Sequence, residues 1–345
     1  MIKAGTERIR AILIGAGKVG AGYALDPVMA RYYPFASHAQ VLAAHPQLEW
    51  GAAVDPSDDA LATLREHWQV PRTGRSIELA CGSWQPELAV LATPPSERLR
   101  AIDVLPSLRA VIVEKPLGTT LQAATAFIDA CRERGVLVQV NLQRRADDRL
   151  REVAARLSDL IGVPQAVFGV YGNGLRNNGT HMIDLCRMLF GDVARASAVA
   201  AVMVPANGPI RGDIHVPFRL EHENGVAVQF SPLDFRHYRE NGIDIWGTTA
   251  RLSILQEGLY LARSSRRPNR AQSNEHEMAS DVAEALESTV GHAFYRMYDN
   301  LIAAMRGEED LVSPAASAMR SEAAVEAVWR SAHEGGVAVV PEHTG

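Results

Sequence analysis

Cysteine is scarce: the chain has three in 345 residues, Cys81, Cys131 and Cys186, scattered and in no CxxC or Cys/His ligand spacing. That excludes a disulfide framework and a thiolate metal site and leaves buried, reduced thiols as the expectation, with no metal. Long apolar runs are missing as well. The stretch AILIGAG near the N-terminus is cut by Lys18 and lacks a signal-peptide layout, and no later run approaches the ~18 apolar residues of a membrane helix. The expectation is a cytoplasmic protein without a membrane partner. A basic excess is also lacking. With a formal net charge of −5 and arginine clusters such as SSRRPNR (264–270) only local, no field exists to hold a nucleic-acid backbone. Internal repeats and low-complexity linkers are absent too.

What is present is enough apolar material, 47% of the chain, for two domains. The first half alternates short β-branched runs with amphipathic stretches. RIRAILI (8–14), EWGAAVD (49–55), ELAVLAT (87–93), RAVIVE (109–114) and VLVQV (136–140) read as strands, and DDALATLREHW (58–68) and LQAATAFIDACRERG (121–135) read as helices. Strand–helix repetition of this kind predicts a doubly wound parallel sheet over residues 1–143. From residue 144 the pattern changes. A charged helix (146–160) is followed by longer alternating runs with turn signals such as Asn224-Gly225, which predicts an α+β domain, 144–345, with an open, mostly antiparallel sheet. Residues 262–276 read as a polar, mobile loop, and two helices, near 277–306 and 314–334, close the chain.

Chemistry-bearing residues gather at the predicted strand ends. IGAGKVG places Gly15, Gly17 and Gly20 in GxGxxG register directly after the first strand, so that the turn of Gly15–Gly20, including Lys18 and Val19, can bring backbone N–H groups to a pyrophosphate. The second strand ends at Asp55, whose carboxylate can accept from an adenosine ribose or cap the following helix; with Asp58 and Asp59 nearby it disfavours a 2′-phosphate, so NAD is expected over NADP. Gly20 and Asp55 are separated more widely than the ~20 residues usual for this motif. The excess, AGYALDPVMARYYPFAS, is interrupted by Pro27 and Pro34 and reads as an inserted loop near the cofactor mouth. Thr93-Pro94-Pro95 ends the strand ELAVLAT in a rigid turn, which either walls a cofactor or simply stops the strand. In VIVEKP, Glu114 and Lys115 stand at the carboxyl end of a predicted strand, where doubly wound sheets bind ligands, and Pro116 ends the strand and aims the lysine. A desolvated Lys115 beside a positively charged ring is a plausible proton acceptor; an ordinary solvated Glu–Lys pair is the alternative.

GAGKVG (15–20), ATPPS (92–96), VEKPLG (113–118) and GNGLRNNGTHMIDLCRMLFGD (172–192), in this order, resemble the glucose-fructose oxidoreductase / inositol dehydrogenase / MocA (Gfo/Idh/MocA) family over nearly the whole chain. The resemblance implies a Rossmann domain, a C-terminal sheet that mediates homodimers or homotetramers, and NAD(P)-dependent oxidation or reduction of a sugar, nucleotide-sugar or cyclitol carbon. It implies that Lys115 is the lysine at substrate and nicotinamide and that His181 is the histidine of the family's DxxxH pattern, with Asn177 where the family has aspartate. Either His181 or Lys115 then exchanges the hydroxyl proton. Asn177, Asn178, Tyr171 and the Arg144-Arg145 pair are expected to position the substrate across a two-domain cleft; the arginines could meet a phosphate or carboxylate, or pair with Asp147 and Asp148. Helical spacing would set Asn177, His181 and Asp184 on one face, so that Asp184 orients His181. Many relatives carry histidine where Arg98 stands. Two other activities known in the family remain open: an NAD-binding sensor without catalysis, which an uncharged Asn177 would suit, and NAD-assisted glycoside cleavage.

Overall fold

The computed structural model describes residues 7–342 as two compact units, each discontinuous in sequence. The first comprises residues up to 146 and 291–318; the second comprises 147–290 and the chain from 319 on.

In the first unit, six short strands, β1 (Ile9–Ile14), β2 (Leu48–Val54), β3 (Arg72–Gly74), β4 (Leu88–Leu91), β5 (Ala110–Val113) and β6 (Leu137–Val140), form a wholly parallel sheet in the order 3-2-1-4-5-6. Every residue of β4 and β5 is buried, as expected for strands covered on both faces. The strand order reverses between β1 and β4, and ligands of such sheets bind at the carboxyl ends beside that reversal. Helices α1 (His38–Ala44), α2 (Asp58–Glu66), α3 (Ile77–Cys81), α4 (Arg98–Val104) and α5 (Leu121–Glu133) make the crossovers. Serine or threonine caps open four of them: Ser37, Ser57, Ser76 and Thr120 each accept a backbone N–H of the first turn. The extra residues after β1 form single 3₁₀ turns at Gly22–Leu25 and Met29–Arg31, and a helix resumes only at His38, which places the insertion where the two prolines predict it.

The second unit opens with α6 (Asp148–Ala155) and α7 (Leu157–Ile161), separate helices because Arg156 leaves helical geometry (φ −117°, ψ 19°) where one continuous helix was predicted. Strand β7 (Pro164–Tyr171), helix α8 (Thr180–Phe190), and strands β8 (Val193–Ala198), β9 (Val204–Pro205), β10 (Ile214–His215), β11 (Phe218–His222), β12 (Ala227–Pro232), β13 (Gly242–Gly247), β14 (Ala250–Leu255), β15 (Tyr260–Pro268), β16 (His276–Met278) and β17 (Glu284–Leu286) follow. All except β9 and β10, which pair with each other, join one open sheet. Its path runs β16-β15-β14-β13-β7-β12-β11-β8, with β17 also on β15, and only the β7–β12 pair is parallel. The chain ends with α9 (Ala293–Met305) and α10 (Ala315–His333). The fold is thus α/β, a Rossmann sheet followed by an open, mostly antiparallel one, as the sequence pattern predicts.

Two local expectations are corrected. The polar stretch 262–276 is strand through Pro268, because Arg267 is fixed by Glu277 (2.7 Å) and Asp281 (2.8 Å) and the ladder runs on to Met278. The helix expected from 277 begins only at Ala293; residues 276–278 and 284–286 pair with β15 instead. Helix α9, which a division at residue 143 assigns to the second domain, packs in the first unit. Its Phe294, Tyr298, Leu301 and Ile302 are buried among Leu13, Val41, Val90 and Ile112. Burying four such side chains is worth about 1.5–3 kcal/mol each, which outweighs proximity in the chain. Among the described residues no helix is long and apolar enough to cross a membrane.

Candidate functional site

The glycine turn after β1 is built by close approach. A Cβ on Gly15 (φ +95°) would lie 2.7 Å from the Ala92 carbonyl oxygen, and one on Gly20 would lie 2.2 Å from the Gly15 oxygen. A Cβ on Gly17 would meet nothing within 4 Å. The two outer glycines therefore pack the turn, and the middle one leaves open space against exposed backbone, as a phosphate-binding turn requires. Lys18 is exposed and Val19 half-buried. Asp55 locks this turn: one carboxylate oxygen accepts the Ala16 N–H (2.7 Å) and the other the Ser57 N–H (2.8 Å).

At the end of β4, Thr93 and Pro95 are half-buried and Pro94 is exposed; the Thr93 hydroxyl is buried with no hydrogen-bond partner among the described residues. At the end of β5, Glu114, Lys115 and Pro116 are half-buried, with a cis Lys115–Pro116 bond. One side chain joins these two turns. The Arg98 guanidinium, 1% exposed, donates to the carbonyls of Thr93 (3.1 Å), Pro116 and Leu117 (3.2 Å). Arg98, which carried no functional meaning as a sequence feature, is the brace between the Thr-Pro-Pro and Glu-Lys-Pro turns.

Glu114 has two direct hydrogen-bond partners and one at second hand. His38 of α1 approaches through Nε2 (3.1 Å), Asn141 at the end of β6 donates its amide N–H, and the other His38 ring nitrogen, Nδ1, lies 2.7 Å from the Tyr298 hydroxyl of α9. Burial pushes the Glu114 carboxyl up, but the His38 hydrogen bond and charge, the Asn141 hydrogen bond and the Lys115 charge together hold it below the usual carboxylate range. A carboxylate only accepts, so the Asn141 amide must turn its nitrogen to Glu114. That leaves Asn141 Oδ1 buried without a partner among the described residues. Arg144 is 6% exposed and Arg145 half-buried on the short helical turn that follows β6. The sequence reading missed His38 and Asn141; Asn141 was findable by the rule that found Lys115, since it also ends a parallel strand.

In the second unit, the segment Leu175–Gly179 is a single π-helical turn, with Gly179 N–H bonded to Gly174 O (3.1 Å), and α8 starts only at Thr180. Asn177 thus lies in a π turn and His181 and Asp184 in the α-helix that follows it, where one continuous α-helical register was expected. Asp184 is 2% exposed; it accepts the Ser321 hydroxyl (2.7 Å) and lies 3.6 Å from Arg187. Asp213, unrecognised in the sequence, fixes the π turn. Its carboxylate accepts the backbone N–H groups of Arg176 (3.0 Å), Asn177 (3.1 Å) and Ile214 (2.9 Å), while His215 Nε2 accepts the Gly174 N–H (3.0 Å). Burial lowers the His215 pKa, which suits an acceptor nitrogen. The Arg176 guanidinium pairs with Glu326 (3.1 Å) and sits 3.8 Å over the Trp329 ring, tying the turn to α10. Asn177 donates its amide to Asn178 Oδ1 (3.3 Å), which leaves Asn178 Nδ2 as a buried donor without a partner among the described residues. His181 is half-buried in the first turn of α8. Tyr171 is corrected: it is fully buried, and its hydroxyl donates to Val216 O (2.8 Å) and accepts from Val216 N–H (3.0 Å). It braces the core and offers no atom to a substrate. No cluster of three or more His, Cys, Asp or Glu side chains among the described residues is arranged to hold a metal.

Two family models match the chain: the oxidoreductase family's NAD-binding Rossmann fold over residues 9–142 and the same family's C-terminal alpha/beta domain over 172–340. The chain belongs to the Gfo/Idh/MocA oxidoreductase family. It is 28% identical over 195 residues to a D-apiose dehydrogenase of Paraburkholderia graminis, the match covering 51% of each chain, so it aligns with about half the length of that curated relative. Among solved structures, the WlbA dehydrogenase of Bordetella pertussis, in complex with NADH and UDP-GlcNAcA, superposes with TM-score 0.71 at 20% identity, over 97% of this chain and 99% of that one. An oxidoreductase of Agrobacterium radiobacter, in complex with NAD+, L-tartaric acid and magnesium, gives TM-score 0.72 at 18% identity, over 96% and 98%.

Proposed function

We propose that the protein is an NAD(P)-dependent dehydrogenase that moves a hydride between the cofactor and a hydroxyl-bearing carbon of a sugar, nucleotide sugar or cyclitol, with NAD as the cofactor. The observation that carries the reading is the glycine turn: Gly15 and Gly20 are packed shut, Gly17 faces open space, and the Asp55 carboxylate is fixed beside them. A dinucleotide fits these residues. Gly15–Gly20 with Lys18 and Val19 would take the pyrophosphate, Asp55 the ribose, and Thr93, Pro94, Pro95, Glu114 and Lys115 the nicotinamide half, where Thr93 Oγ1 and Asn141 Oδ1 still want partners. Bound there, the nicotinamide supplies hydride acceptance and donation.

The remaining work falls to the chain's own groups. Lys115 donates a hydrogen bond to the substrate oxygen at the reacting carbon. His181 takes the hydroxyl proton in oxidation and returns it in reduction. Asn178 Nδ2 donates to a substrate oxygen, with Asn177 holding the amide in that orientation. Arg144 and Arg145 supply charge for a substrate carrying phosphate or carboxylate. The relatives named above act on or bind a pentose and a nucleotide sugar, which supports the carbohydrate class. The exposed face of the open sheet, with Phe168 48% exposed, supports association of two or four copies there.

The test is reduction of NAD+ and of NADP+ followed by the absorbance of the reduced ring, across free sugars, cyclitols and nucleotide sugars, with Lys115→Ala and His181→Ala beside the wild type. Turnover on one class, lost in both variants, is the expected result. Tight dinucleotide binding with no turnover on any class would replace this reading with that of a sensor.

A further inference from the structure

The hydride reaction asks of Glu114 only that it lie at the nicotinamide end, yet three elements converge on it. Its side chain is 14% exposed; His38 and Asn141 both bond its Oε1, and Tyr298 bonds His38 from behind. The Phe294 ring packs edge-on against the imidazole at 4.8 Å between centroids. His38 and Tyr298 are 1% and 0% exposed, so the chain Glu114–His38–Tyr298 ends in the core of the first unit. A proton passed along it arrives nowhere, and a relay is excluded. Orientation and electrostatics remain. Because Glu114 takes a proton bond from Nε2, Nδ1 of a neutral ring accepts from the Tyr298 hydroxyl, and the tautomer is fixed.

The charge matters because of its neighbour. Lys115 follows Glu114 at the end of β5, on the β4–β6 side of the strand-order reversal. On the reading above, this end holds the nicotinamide half, and this inference rests on that reading. An ammonium there repels an oxidised, positively charged ring and is indifferent to a reduced, neutral one; a fixed carboxylate cancels that repulsion.

We propose that Glu114 biases the site toward the oxidised cofactor, and that His38 is the positioning residue through which the bias is kept. The titratable groups facing Glu114 are His38 from α1, Lys115 from its own turn and, one bond further, Tyr298 from α9, with uncharged Asn141 from the end of β6.

The test compares dissociation constants of NAD+ by calorimetry and NADH by fluorescence for the wild type, Glu114→Gln and His38→Phe. Both ligands make the same contacts apart from the ring charge, so a purely structural loss weakens both alike. In Glu114→Gln the ratio of NAD+ to NADH dissociation constants rises about fivefold or more, since a unit charge at close range in a partly buried site acts with at least that strength. In His38→Phe, which keeps an aromatic ring against Phe294, the ratio rises at the acid end of the pH range and returns toward the wild-type value as pH is raised, because without its partner the buried carboxyl titrates higher. Equal weakening of both ligands in the two variants overturns the inference and leaves the dehydrogenase reading standing. A wild type that binds neither NAD(H) nor NADP(H) overturns that reading and the inference with it.

Discussion

Asp55 Oδ2 accepts the Ala16 N–H at 2.7 Å, so the carboxylate that ends β2 closes the glycine turn that ends β1. Its other oxygen holds Ser57 N–H, the residue that caps α2. The two readings of Asp55 offered by the sequence, a ribose acceptor and a local structural brace, are not exclusive, and the brace is present.

Replacing Asp55 by alanine strands both N–H groups and is expected to cost about 1–3 kcal/mol, read as a lower urea midpoint. Asn at this position keeps one acceptor and costs less. Because it removes the charge that opposes a 2′-phosphate, Asp55→Asn is also expected to narrow the preference for NAD+ over NADP+ in calorimetry. An unchanged preference would place the discrimination elsewhere.

Arg98→Met leaves three carbonyls in two turns without their buried donor. The expected destabilisation is about 2–4 kcal/mol. Arg98→Lys should recover less than half of it, because a single ammonium cannot span acceptors that a planar fork reaches together. A lysine variant with the wild-type midpoint would show that charge alone, not the fork, is needed.

Acid should weaken the second unit through Asp192. Burial pushes this carboxyl up, but the hydrogen bonds and charges of Arg187 (2.6 Å) and Arg320 (2.7 Å) more than reverse it, so its folded pKa lies below the ordinary value of 3.8. The native state then binds fewer protons than the unfolded one in this range. Its contribution is present above the unfolded pKa and lost as pH falls through the folded one. The fall in urea midpoint between about pH 5 and about pH 3 should therefore be smaller in Asp192→Asn than in the wild type.

All three cysteines are buried and their thiols are pushed upward, Cys131 to about 12, chiefly by burial. In native protein at about pH 8 an aromatic disulfide reagent is expected to find no fast-reacting thiol. In denaturant it should find three. A fast native equivalent would locate an opening near Cys81, the least deeply set of them.

Much of the first unit was legible because β4 and β5 are short and wholly apolar and are followed by unusual residues, so that strand ends stand out at Thr93 and Lys115. His38 was not, since its role depends on Tyr298, 260 residues away, and no local pattern encodes that pairing. Asp213 was hidden for the same reason: it acts on Arg176 and Asn177 through their backbone N–H groups, which leave no trace in side-chain spacing. The π turn was not legible because period-3.6 reasoning cannot see a single widened turn. Residues 262–286 misled because their strands are edge pairings made by arginine–carboxylate contacts, not by apolar alternation.

The return of residues 291–318 to the first unit has a consequence for how the chain is made. A ribosome releases all six parallel strands before Phe294, Tyr298, Leu301 and Ile302 exist to cover them. The dinucleotide half must wait, incomplete, while most of the other unit is synthesised, and Glu114 and His38 acquire Tyr298 only near the end of translation. A fragment stopping at residue 146 accordingly keeps its six strands and α1–α5 but lacks the core side chains of α9, and simple truncation there is expected to give a less stable cofactor module than the whole unit.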